Sequence, residues 1–169
     1  MAAASSGSEP TRSVSRSASS AGRPGRNRSR RLRNQLSTLS AIAIGGALGA
    51  LGRYAITVAL PAPAGQMPWG IFVINISGAA GLGFLLTLVA EQFPRARLAR
   101  LLIGTGFIGA YTTFSTWMVD VVTLVRGGAV AAALADLALS LVAGLAAVII
   151  GMAAARAIVR RRRLMQEEA

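Results

Sequence analysis

The chain contains no cysteine and no histidine, and all 18 of its basic residues are arginine, so lysine is missing as well. Without thiols or imidazoles, disulfides, zinc sites, thiolate nucleophiles and imidazole acid–base chemistry are excluded. Charge is scarce: 14% of the 169 residues are charged, against 53% that are hydrophobic. So apolar a composition points to an integral membrane protein. Little remains from which to assemble an enzyme, and none is expected.

What is present is unevenly placed. Arginines 12, 16, 23, 26, 28, 30, 31 and 33 fall in a Ser/Arg/Gly/Ala-rich segment, 1–38, with too little apolar surface to offset the entropy of ordering. It reads as a disordered basic tail. No aromatic residues are interleaved for base stacking and no module is recognisable, so the tail is expected at an anionic membrane surface and no nucleic acid is expected as a partner. Four apolar runs follow, at about 39–60, 69–90, 101–125 and 129–153, each of the roughly 20 residues or more that a spanning helix needs. They define a membrane domain, 39–155, of all-α class. A basic tail, 156–169, closes the chain.

Orientation follows from the arginines. With four spans, both termini and the loop between spans two and three share one side, and they hold sixteen arginines. The other side has Arg126 alone, and Arg53 lies within the first span. The positive-inside rule then makes both termini cytoplasmic.

Several residues are out of place in hydrocarbon. The stretch Gly104–Asp120, GTGFIGAYTTFSTWMVD, crowds glycines, hydroxyls and aromatics into the middle of the third span. Backbone that leaves the helix at this depth must be buried or line a polar cavity, so the stretch reads as a broken helix beside an ion path. Arg53 either reaches a headgroup or flanks an aqueous vestibule. Asn75 either joins two helices by hydrogen bonds or donates to an anion. Asp136 and Ser140 share a face of span four at i and i+4. Weak donors and ring edges remain as candidates for an anion path: Asn75, Thr112, Thr113, Ser115, Thr116, Ser140, Phe107, Phe114 and Trp117. Ring edges are electropositive and favour an anion without trapping it, although Phe114 and Trp117, three apart, also suit ordinary core packing. A small proton-coupled drug or cation transporter is the alternative, and it would depend on Asp120 or Asp136.

Three segments resemble the Fluc/CrcB family of small fluoride ion channels: GGALGALGRY (45–54), WGIFVINISG (69–78) and GTGFIGAYTTFSTW (104–117). Ser140 and Gly144 fit its fourth span. The resemblance implies an antiparallel dimer of dual-topology type, in a bacterial cell membrane, that exports fluoride passively and reduces its toxicity. It further implies a structural Na⁺ at the dimer centre, held by the backbone carbonyls of Gly109 and Thr112. Asn75, Phe114, Ser140 and Arg53 match the family's pore asparagine, first pore phenylalanine, pore serine and vestibule arginine. Three residues depart from its pattern: Trp117 stands for a phenylalanine, Ile71 for a threonine and Asp136 for a tyrosine. An ionised Asp136 lining the path would oppose fluoride. The sixteen-to-one arginine bias also departs from a chain that inserts both ways. It suggests one half of a heterodimer with a paralogue of opposite topology, with a homodimer as the alternative.

Overall fold

Hydropathy marks where a helix crosses lipid rather than where it begins, and the two differ at both ends of this chain. The computed structural model describes residues 24–63, 65–92 and 96–167. Helix α1 (Pro24–Ala59) starts well before the first apolar run, so residues 24–38, read as disordered from composition, are helical. The remainder of that tail, 1–23, lies outside the described residues. Proline suits a first helical position because the amide it lacks has no intrahelical acceptor there. Helix α2 (Trp69–Gln92) begins where the interfacial tryptophan predicts. Helix α6 (Val130–Glu167) continues through the basic C-terminal segment. At 1.5 Å per residue, α1 and α6 outrun a hydrocarbon layer of about 30 Å and carry the arginines of their basic ends beyond it.

The third span is broken, as its composition suggests. It opens with a helical turn, α3 (Arg97–Arg100), widens into a π-helix over Leu101–Ile108, and tightens again in α4 (Gly109–Tyr111). Thr112 and Thr113 are extended, with ψ of 157° and 123°, and α5 (Phe114–Arg126) then resumes. Four segments are long and apolar enough to cross a membrane, Leu32–Ala59, Trp69–Gln92, Arg97–Arg126 and Val130–Gln166, and there is no strand among the described residues. The chain is thus an all-helical, multi-pass membrane protein.

Glycines let two pairs of helices approach closely. Along α1, Gly45, Gly49 and Gly52 face Leu102, Phe107 and Tyr111 in turn, so α1 runs parallel to the first half of the third span. A π-helix is broader than an α-helix, and its carbonyls at Leu102 and Phe107 occupy the space that a Cβ on Gly45 or Gly49 would need. Gly83 and Gly151 play the same part between α2 and α6, against the carbonyls of Val148 and Ala80. Where α2 and α6 meet the basic side, Glu91 and Arg156 approach to 4.0 Å. Because lipid is itself apolar, this close packing, and not burial from water, holds the spans together.

At the other side α5 reverses sharply into α6. The amide of Gly128 donates to the Val125 carbonyl and that of Ala129 to Leu124, while Gly128 has φ of 80°. This is a Schellman ending, and it needs a residue tolerant of the left-handed region at Gly128. The turn sets α5 against α6 and α2. Ile71 and Ile74 of α2, Trp117, Val121 and Leu124 of α5 and Ala133 of α6 form one buried cluster between them.

Candidate functional site at the break

An interrupted helix must find new partners for its backbone, and here Asn75 supplies both. Its Oδ1 accepts the Thr113 amide at 3.0 Å, and its Nδ2 donates to the Thr113 carbonyl at 3.0 Å. In a continuous helix that amide would bond the carbonyl of Gly109. The amide side chain of α2 therefore substitutes for one rung of the third span and holds the break open. Asn75 is thus a hydrogen-bonded joint between helices, one of its two readings, and it still has a second Nδ2 proton to offer.

Thr113 also caps α5. Its Oγ1 accepts the Thr116 amide at 3.2 Å and its hydroxyl donates to Thr116 Oγ1 at 3.0 Å. A threonine at this position satisfies one of the orphan amides of a helix start. The Thr112 hydroxyl turns back to the Ile108 carbonyl at 2.9 Å. Beside these residues lies a cleft of about 260 Å³ lined by Asn75, Thr112, Thr113, Phe114 and Trp117. Both threonine hydroxyl protons are engaged, so the side-chain donor left beside the cleft is the free Nδ2 proton of Asn75, and the amides of Phe114 and Ser115 at the start of α5 have no intrahelical acceptor. Those amides carry the positive end of the helix dipole. The Phe114 and Trp117 rings meet edge to face, with centroids 5.7 Å apart and planes at 76°. The cleft thus offers weak donors and no formal charge, an environment for a small anion in transit.

Two polar residues of α6 lie outside the cleft lining. Asp136 is fully buried, and its Oδ2 accepts the Trp117 Nε1 proton at 2.8 Å while its Oδ1 accepts the Ser140 hydroxyl at 3.1 Å. Neither Asp136 nor Ser140 lines the cleft. Asp136 meets the cleft through Trp117, whose ring lines it. Ser140, matched to a pore serine, has its only proton committed to Asp136. Ile71, the third departure, is a core residue in the same cluster as Trp117. The three departures are thus one packed unit, with a larger aromatic, an acceptor for its N–H and an aliphatic neighbour.

The remaining candidates spread outward. Phe114, Ser115, Thr116 and Gly109 are exposed on the single chain, so the face around the break is uncovered. Arg53, half-buried on α1, has no ion pair among the described residues. Asp120 lines a separate 90 Å³ recess with Ala62, Pro63, Gly65, Gln66 and Pro68 of the α1–α2 turn. Neither membrane carboxylate therefore stands at the cleft, where a proton-coupled transporter would need one. Phe107 stacks on Tyr111 at 5.7 Å, away from the cleft lining. Sequence reading missed Tyr111 and Ser77, whose oxygens pair at 2.8 Å beside the break, because no spacing rule joins residues 34 apart.

Comparison with known proteins bears on this geometry. A family model described as CrcB-like protein, Camphor Resistance (CrcB), matches residues 40–152. A protein of Nocardia farcinica named Fluoride-specific ion channel FluC 2 is 46% identical over 118 residues, 70% of this chain and 84% of that protein. Fluoride-specific ion channel FluC 3 of Streptomyces avermitilis is 44% identical over 78% of this chain and 65% of its own length. Fluoride-specific ion channel FluC 1 of Streptomyces coelicolor is 39% identical over 77% of this chain and 84% of its own.

Proposed function

The chain belongs to the CrcB-like family, and from that premise we propose that it is a subunit of a fluoride-specific ion channel, and not an enzyme, that lets F⁻ leave the cytoplasm down its gradient. The observation that carries the reading is the Asn75 joint: it holds open a break whose flanking cleft has donors and ring edges without a lysine or arginine to trap the ion. Relatives named as fluoride-specific channels support the choice of anion. The test is fluoride efflux from proteoliposomes holding the purified protein together with the paralogues of the same genome. Rapid F⁻ release with chloride retained is expected, and its absence in the presence of every paralogue from the same genome would overturn the assignment.

Assembly is part of the proposal. The exposed face around Gly109, Phe114 and Ser115 is incomplete on one chain, and an antiparallel second chain would cover it. The residues fit a structural Na⁺ there. Diverting the Thr113 amide to Asn75 deprives the Gly109 carbonyl of its usual donor, and Thr112 lies before the cap of α5, outside its hydrogen-bond ladder. Hard cations take several oxygens, more than one chain supplies here, so Gly109 and Thr112 from both subunits would hold it. Bound there, Na⁺ would supply a fixed positive charge that ties the subunits together. The arginine bias favours a single orientation, with both termini in the cytoplasm. The partner is then a paralogue of opposite topology, and the numbered names of the relatives fit a family with several copies. Efflux by this chain reconstituted alone, as an antiparallel pair, would refute the heterodimer.

A further inference from the structure

Indole differs from phenyl in one respect that matters to an anion: it carries a polar N–H. A ring edge made of C–H groups attracts an anion weakly and releases it, whereas an N–H in a water-poor cleft forms a charge-assisted hydrogen bond. Trp117 puts such a group at the cleft wall beside Phe114. The N–H does not face the cleft. It is bonded at 2.8 Å to Asp136, which is fully buried and whose other oxygen is occupied by Ser140.

On the reading of the cleft as a fluoride path, we infer that Asp136 is a positioning residue that masks the Trp117 N–H, so that the tryptophan shows an anion only what a phenylalanine would. The bond also fixes the ring about its side-chain torsions and holds its edge-to-face contact with Phe114. Ser140 completes the arrangement by filling Oδ1, which leaves Oδ2 committed to the indole. The tryptophan is therefore compatible with conduction only with the aspartate behind it.

The test is a rescue. Asp136→Leu removes the acceptor and frees the N–H, and fluoride efflux is expected to fall about tenfold or more, the factor that one hydrogen bond to an ion corresponds to. Adding Trp117→Phe removes the freed donor and should restore most of the rate. Asp136→Asn, which keeps an acceptor for the indole, should lie much nearer the unmodified protein than Asp136→Leu. A double variant as slow as Asp136→Leu, or a single variant with unchanged efflux, overturns the inference. A second measurement starts from the unmodified protein. The chain has 2 tryptophans, so its indole N–H signals in a ¹⁵N-labelled sample are two. The Trp117 signal should stay fixed as sodium fluoride replaces sodium chloride, and should move in Asp136→Leu. Movement in the unmodified protein overturns the masking role. Loss of fluoride efflux from the unmodified protein would instead count against the channel itself, so the two failures are distinct.

Discussion

Two side chains reach α5 from neighbouring helices, Asn75 from α2 and Asp136 from α6, and they do opposite things. Asn75 bonds the backbone: it takes the Thr113 amide, which a continuous helix would pair with Gly109, adds a donor to the Thr113 carbonyl, and keeps the helix from closing. Asp136 bonds a side chain, leaves the helix intact and removes a donor from the cleft wall. One polar residue exposes hydrogen-bonding capacity at the break and the other hides it. A path for a small anion needs both, because the ion must be met by donors and yet released. Polar residues within a membrane domain are thus informative by what they bond to, more than by their presence.

The first way to break this contrast is Asn75→Leu, and the largest effect is expected there. The variant strands the buried Thr113 amide, while the Thr113 carbonyl, as the cap residue of α5, keeps its place in that helix, a loss of about 1–3 kcal/mol if the amide finds no partner. The cheapest relief is for the Thr113 amide to return to Gly109 and close the break. Efflux should then be abolished, and sodium should no longer raise the thermal unfolding temperature, because the Gly109 carbonyl has been reclaimed. Retained sodium stabilisation alongside lost efflux would show that Asn75 serves the anion and not the backbone.

Trp117→Phe alone should have a smaller effect, and a different one. It leaves Asp136 buried with Ser140 as its remaining donor, a loss of about 1–3 kcal/mol visible in chemical or thermal unfolding in detergent. The break itself should stay open, so sodium stabilisation should persist. If unfolding is unchanged, the Trp117–Asp136 bond contributes nothing to stability and the two sites are less alike than their geometry suggests.

Much of this was legible before the fold was known, but unevenly. The crowding of glycine, threonine and aromatics in 104–120 marks the third span as broken, because hydrocarbon has no use for those residues there. Asn75 stands out for the same reason. The π-helix over Leu101–Ile108 was not legible: its broader backbone depends on Gly45 and Gly49 of α1 leaving room, a tertiary matter. Trp117 and Asp136 look like two separate faults in sequence because they stand 19 positions apart with a reversal between them. Their pairing appears only when Gly128 folds α6 back on α5. The outer limits of α1 escaped for a simpler reason. Arginine and leucine are good helix formers, so the helix continues where apolarity has ended.

The smallest expected effect separates the two roles of Thr113, which is the cap of α5 and also the residue whose backbone Asn75 holds. Thr113→Ala deletes the cap to the Thr116 amide and should cost about 1 kcal/mol. The backbone bonds to Asn75 do not involve the removed hydroxyl and should survive. The Thr116 amide, no longer capped, should exchange with solvent faster, while the Thr113 amide keeps its protection. Thr113→Ser, which retains the hydroxyl, should restore Thr116 alone. If both amides lose protection in Thr113→Ala, the cap and the Asn75 joint form one cooperative unit, and the opening of the break is shared between α2 and α5 instead of being imposed by Asn75.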